Sequence, residues 1–171
     1  MLPLVLAFID IALHRRGPEQ LPASSFLLGL VLVVYLVVAF ATLRLDPPPV
    51  NLAMLLVVNA TLYGGFVWAV LKTFKHERRF MQTAIALLGT DTLFNVMSLP
   101  LVWLNGQADA TTMTLPEALR LLVLIWSIDV SGFVLSRAIG RPYVVGVGIM
   151  VGYVLLSISL QASLFPATAT T

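Results

Sequence analysis

Five long apolar stretches alternate with short polar connections along the chain, and each stretch is 20 to 25 residues long. A helix rises about 1.5 Å per residue, so each stretch can cross a hydrocarbon core of about 30 Å. The apolar runs are continuous rather than alternating, which favours helices over the strands of a membrane barrel. The pattern therefore predicts five transmembrane helices, over residues 24–43, 50–71, 80–104, 117–136 and 143–164.

The connections carry residues that end or begin helices. Three consecutive prolines at 47–49 cannot continue a helix and predict a short extended link. Thr114 and Glu117 have the spacing of a capping box, in which each side chain bonds the backbone N–H of the other residue. This pair predicts the start of the fourth long helix.

A shorter apolar run precedes the first predicted span. Residues 1–13 are interrupted by Asp10 and are too few for the roughly 20 residues that a spanning helix needs. The basic cluster at 14–16 follows this run rather than preceding it, which is not the order of a signal peptide. We expect an interfacial or partly buried helix within a cytoplasmic segment, residues 1–23. A frayed hydrophobic terminus is the alternative.

Composition excludes an ordinary soluble domain. The chain is 59% hydrophobic and 11% charged, with a mean hydropathy of +0.97, whereas soluble domains are about 25% charged. It has no cysteine, which excludes disulfides, thiolate metal sites and a thiol nucleophile. The predicted fold is an all-α polytopic membrane bundle: five helices within residues 24–164, an N-terminal interfacial helix and a short external tail, residues 165–171.

Basic residues set the expected orientation, since they concentrate in cytoplasmic loops. With the N-terminus inside, eight basic residues fall on the cytoplasmic side and Arg44 alone falls in an outer loop. We therefore expect an integral protein of a bacterial inner membrane, with its C-terminus outside. The densest basic loop would anchor this topology, or bind a cytoplasmic partner or anionic lipid head groups. Its members are Lys72, Lys75, Arg78 and Arg79.

Two aspartates fall inside predicted helices. Asp91 lies roughly 16 Å and Asp129 roughly 12 Å from the basic side, at 1.5 Å per residue. Each costs about 2.5–3.5 kcal/mol at the centre of a helix in a membrane, so both should face protein or water. Because their helices are consecutive and antiparallel, we expect the two carboxyl groups to meet. The predicted intramembrane polar cluster comprises Asp91, Asp129, Asn59, Asn95, Ser98, Ser127 and Ser131.

Three interpretations of this cluster stay open: an interhelical hydrogen-bonded clamp, a proton or ion relay, and a polar contact to a partner subunit. Aspartyl protease chemistry also uses paired carboxylates, but residues 89–91 lack the Gly-x-Gly-Asp signature of the intramembrane group. His14 and His76 lie in basic loops, away from the predicted position of the aspartates, so no metal site is predicted. With no phosphate-binding or nucleophile motif, we expect no catalytic residue and no cofactor.

Small residues mark the last predicted helix. Gly148 and Gly152 form a GxxxG pattern, which allows two helices to approach closely. The pattern predicts helix packing, either within the chain or between two copies of it.

The layout resembles the Yip1-like group of small membrane proteins: an N-terminal segment, Gly17-Pro18 before the first span, and about five closely spaced helices. The residues before Gly17 are basic, where that group has an acidic and aromatic stretch. The resemblance implies a scaffold or trafficking factor rather than an enzyme, and it supplies no catalytic residue.

Together these features predict a non-enzymatic scaffold or accessory subunit that acts through protein or lipid contacts. The alternative is a proton- or ion-coupled transporter component built on Asp91 and Asp129. Expected partners are the lipid bilayer and a membrane protein or a second copy of this chain. Nucleic acid is not an expected partner.

Overall fold

The computed structural model describes residues 2–45, 51–105 and 114–164. Within them the chain forms one short helix and five helices that are long and apolar enough to cross a membrane, which confirms the predicted all-α bundle. The proline link at 47–49, most of the connection before the fourth long helix and the tail at 165–171 lie outside the described residues. The helices are α1 (Leu2–Ala12), α2 (Ser25–Leu45), α3 (Leu52–Thr73), α4 (Phe80–Asn105), α5 (Leu115–Ile139) and α6 (Tyr143–Leu164).

Local side-chain chemistry fixes several helix ends. The Asn51 side chain caps α3 by accepting hydrogen bonds of 3.0 and 3.2 Å from the backbone two and three residues later. At α5 the predicted capping box is confirmed: the Thr114 backbone N–H donates to Glu117 at 3.0 Å, and the Glu117 N–H donates to the Thr114 hydroxyl at 3.3 Å. Gly140 ends α5 in the left-handed conformation, with φ of 63°.

Helix α4 is the centre of the bundle, since it packs against α2 on one side and α5 on the other, while α6 packs on α5. Helix α3 contacts α2, α4 and α6 less closely. All residues from 83 to 90 are buried, as are most residues from 130 to 139. In the half of the bundle that contains these two stretches, α4 and α5 are therefore closely packed, while an apolar cavity of about 150 Å³ lies between α2, α3 and α4.

The closest approach of α5 and α6 occurs at Gly132 and Gly146. A side chain on Gly146 would collide with the backbone carbonyl of Gly132. Gly148 and Gly152, by contrast, are exposed and have open space where a side chain would stand. Gly146 and Gly148 are two positions apart and so point about 200° away from each other around the helix, which explains why only Gly146 faces α5. Packing within the chain by Gly148 and Gly152 was therefore the wrong interpretation, while pairing between two copies stays a prediction.

The N-terminal helix packs along the side of the bundle rather than across its end. The Phe8 ring rests on Gly89, near the middle of α4. The Trp126 indole N–H, near the middle of α5, donates to the Ala12 carbonyl at 3.2 Å. Because Phe8, Ile11 and Ala12 are buried, α1 belongs to the core of the described structure.

Several basic residues gather at one end of the bundle, which we call the basic end; the opposite end is the far end. Arg79 donates to the backbone carbonyls of Arg137 and Ala138 at 3.2 Å. Arg137 also pairs with Glu19 at 2.9 Å. The connection after α3, the end of α5 and the segment before α2 are thereby held together. The side chains of the predicted basic loop are all exposed, namely Lys72, Lys75, Arg78 and Arg79.

Candidate functional site

Asp91 lies at the centre of the candidate site, half-buried near the middle of α4. The Tyr63 hydroxyl of α3 hydrogen-bonds to its carboxylate. Tyr35 of α2 and Tyr153 of α6 are near enough to interact with the same carboxylate electrostatically. Tyrosines from three other helices thus surround this acidic group, and it lines two cavities.

The larger cavity has a volume of about 580 Å³ and opens on one side, between α4 and α5 toward the far end. We call it the α4–α5 groove. Its α4 wall consists of three residues of the predicted cluster, which share one helix face because they lie at i, i+4 and i+7; leucines and Phe94 supply apolar walls. Its polar members are Asp91, Asn95, Ser98, Glu117, Arg120 and Ser127.

The smaller cavity, of about 230 Å³, lies on the other side of Asp91, and we call it the tyrosine cavity. The Tyr153 ring stands between Tyr63 and Phe66, with ring centroids 5.3 and 4.7 Å away. The cavity draws polar side chains from α2 through α6, including four residues of the predicted cluster. These polar members are Tyr35, Asn59, Tyr63, Asp91, Ser127, Ser131, Tyr153, Ser157 and Gln161.

Hydrogen bonds across the tyrosine cavity tie α3 to its neighbours. The Gln161 amide donates to the Asn59 carbonyl oxygen at 3.2 Å and to the Ser157 hydroxyl at 3.0 Å. The Tyr63 bond to Asp91 joins α3 to α4 in the same way. The interhelical clamp that we expected of Asn59 and the two aspartates therefore has a structural counterpart: Asn59 and Asp91 take part in it, and Asp129 does not.

Asp129 lies outside both cavities. Its carboxylate contacts His14 Nε2 at 3.3 Å and accepts a hydrogen bond from the Tyr143 hydroxyl. The expected contact with Asp91 is not made, because Asp129 is two residues from each of the cavity serines of α5 and so points about 200° away from them. The packing of α1 places His14 beside this aspartate, which corrects the expectation that the histidines lie apart from both acidic residues.

Sequence reasoning missed the tyrosines and the glutamine of the site. Their signal was present as helical spacing, because Tyr153 and Gln161 share one face of α6, and Asn59 and Tyr63 are one turn apart on α3. The prediction for α6 relied instead on the GxxxG pattern, which lies on the opposite face of that helix. An aromatic hydroxyl is also a weak sequence signal in a membrane helix, where tyrosine commonly marks an interface.

The chemistry of the site favours binding. Among the residues that the structure describes, no three acidic or histidine side chains come close enough to hold a metal ion. The two cavities bring together a carboxylate, hydroxyls and amides, and the histidine nearest to an acidic group is at Asp129 instead. A polar lining in a mainly apolar cavity is typical of a site that orients a bound molecule.

No family model, curated protein or solved structure matches this chain. The resemblance to the Yip1-like group therefore stays a prediction.

Proposed function

We propose that the protein is a non-enzymatic scaffold or accessory subunit that holds a transmembrane helix of a partner protein in the α4–α5 groove. The observation that carries the proposal is the side opening of this groove over a polar wall. Asn95 and Ser98 lie along that wall, and both are only partly buried. The Asn95 amide and the Ser98 hydroxyl each donate to a backbone carbonyl of α4, at 2.9 and 2.8 Å. Their remaining polar atoms are costly against hydrocarbon, so a partner that bonds them would stabilise this wall.

A helix covers such a wall better than a lipid chain does. Acyl chains offer no hydrogen bonds, whereas polar side chains on a partner helix can bond across the interface. The rim of the groove is suited to the same contact, because Leu121 and Leu124 are about half exposed there. The groove thus combines an apolar rim with a polar floor. Interfaces between soluble proteins commonly have the opposite arrangement, an apolar core and a polar rim, because their rim faces water rather than lipid.

Site-specific photocrosslinking in the native membrane tests this proposal. A photoreactive residue at Leu121 should give a discrete protein adduct, since Leu121 lines the groove. The matched control is Leu122, which is 61% exposed and does not line it. Lipid adducts alone at Leu121, or the same protein adduct from both positions, would refute a partner helix in the groove.

Coupled transport is the second candidate function, and one observation favours it: Asp91 borders both cavities. A single carboxylate that faces two chambers is the arrangement that a proton or ion relay requires. Asp129 is no longer part of this hypothesis, because it lies outside both cavities. Asp91→Asn should then abolish transport at unchanged abundance, while Asp129→Asn keeps transport. If Asp91→Asn simply loses abundance, the clamp interpretation is favoured.

We also propose that the basic end faces the cytoplasm of a bacterial inner membrane, with the C-terminus outside. The proposal is supported by eight basic residues on one side of the bundle, against Arg44 and Arg120 toward the other. An alkaline phosphatase fused to the C-terminus should be active, because the enzyme needs an oxidising external compartment to form its disulfides. If the phosphatase fusion is inactive and a fluorescent cytoplasmic reporter fused at the same place is fluorescent, the orientation is the opposite of the one proposed.

A further inference from the structure

The tyrosine cavity has a composition that is unusual for this chain. Three of the four tyrosines line it, namely Tyr35, Tyr63 and Tyr153. They come from three different helices, so their convergence is not a consequence of helical spacing. The carboxylate of Asp91 borders the same space of about 230 Å³, which is large enough for a small organic molecule.

The carboxylate at this cavity has capacity for a further partner. Its hydrogen bond is with Tyr63, while a carboxylate offers about four acceptor positions. The ion pairs between described side chains involve other acidic residues, Asp10, Glu19 and Asp129. A carboxylate away from bulk water is stabilised by an opposite charge, so a bound cation would supply what the neighbouring side chains do not.

The aromatic rings in the lining favour one class of cation. Aromatic faces attract ammonium groups, and phenol rings beside a carboxylate are a general way to recognise them. Ca²⁺ and Mg²⁺ instead take about six or more oxygen ligands, whereas rings from Tyr63 and Tyr153 occupy part of this wall. An anion would be repelled by Asp91. The donor set therefore favours an organic ammonium ion over a metal ion or an anion.

We propose that the tyrosine cavity binds a small organic ammonium ion, with Asp91 as its counter-charge and the rings of Tyr35, Tyr63 and Tyr153 as its walls. This inference goes beyond the scaffold function, because the ligand occupies a different cavity from the partner helix. A test of ligand binding to this cavity can therefore succeed or fail independently of the crosslinking result at Leu121.

Equilibrium binding to the full chain in lipid nanodiscs tests the proposal, with choline as the probe. Its control is 3,3-dimethylbutan-1-ol, which has nearly the same shape and no charge. Choline should bind saturably, and the neutral alcohol should bind at least tenfold more weakly, because the charge makes the ion pair and the cation–π contacts. Equal binding of the two compounds, or no saturable choline binding, would overturn the proposal.

Variants locate the bound probe. Asp91→Asn should weaken choline binding at least tenfold, and Asp129→Asn should leave the affinity unchanged. Tyr153→Leu should weaken it roughly two- to thirtyfold, the range of one cation–π contact, while Tyr153→Phe keeps the ring and should stay within about twofold of the wild type. The comparison of Tyr153→Leu with Tyr153→Phe tests the aromatic wall even if Asp91→Asn does not fold. Equal affinities of Tyr153→Leu and Tyr153→Phe would refute the aromatic wall.

Discussion

At the scale of single residues, two glycines of α6 show how direction on a helix decides the effect of a side chain. Gly146 faces the backbone of α5, and Gly148 faces open space. Their sequence surroundings are alike, since both lie in a run of glycines and valines. The packing of α5 against α6 therefore distinguishes positions that the sequence pattern treats as equivalent.

Gly146→Ala should destabilise the protein by about 1–3 kcal/mol, because the added methyl group collides with the Gly132 carbonyl and forces a backbone shift. Gly148→Ala is the matched control and should be neutral or slightly stabilising, since its methyl group meets nothing. Unfolding of both variants by a denaturing detergent measures the difference. Equal stabilities would show that α5 and α6 are not in close contact at Gly146.

Two tyrosine hydroxyls that contact aspartates should differ in their contribution to stability. Tyr63→Phe removes a donor from Asp91 inside the bundle and should cost about 1–3 kcal/mol, the penalty for an unsatisfied buried polar group. Tyr143→Phe removes a donor from Asp129, whose side chain is 37% exposed, and should cost less than about 1 kcal/mol because solvent replaces the bond. The same detergent unfolding compares them, and a larger loss in Tyr143→Phe would show that the Tyr63–Asp91 contact is not the more stabilising of the two.

At the scale of elements, α1 is the helix whose role changes most between sequence and structure. Its 11 residues are too few to span a membrane, yet they pack beside the centres of α4 and α5. The contact of Phe8 with Gly89 supplies the close approach, and burial of Ile11 extends it. Helix α1 thus behaves as a sixth core element rather than as a surface appendage.

Phe8→Ala should release α1 from the bundle, because the ring is 6% exposed and its removal leaves a cavity over Gly89. Amide hydrogen exchange across residues 2–12 in nanodiscs should then become faster, as expected of an element that opens locally. Leu6→Ala is the control, since Leu6 is 50% exposed and its loss leaves the contact with α4 intact. Unchanged exchange in Phe8→Ala would show that other contacts hold α1 in place.

At the scale of the whole molecule, the two halves of the bundle differ in packing. In the half with the buried stretch 83–90, α4 and α5 are closely packed, whereas the two polar cavities lie beside or beyond Asp91. The polar site can therefore be reached from the side, through the α4–α5 groove. A relay to the basic end would require a conformational change that opens the closely packed half.

Cysteine labelling tests this asymmetry, and the chain suits it because it contains no cysteine. In the purified protein, Ser98→Cys lines the groove and should react readily with a water-soluble maleimide. Thr83→Cys lies in the closely packed half, where Thr83 is 0% exposed, and should react only after unfolding. Comparable labelling rates would indicate that water enters both halves of the bundle.

The sequence by itself determined the number of long helices, their approximate limits and the capping box of α5. These features depend on the length of each apolar run and on residues within a few positions of each other, such as Thr114 and Glu117. Local physics is enough to specify them, because a helix in lipid must satisfy its own backbone hydrogen bonds.

Only the tertiary structure decided which face each helix turns toward its neighbours. Asp91 faces Tyr63, and Asp129 faces His14, although both aspartates lie at similar depths on adjacent helices. In a helix that is apolar on nearly every side, the sequence pattern gives little preference for one rotation over another. Rotation is then set by the close contacts of packed residues such as Gly146, and those contacts exist only once the helices have assembled.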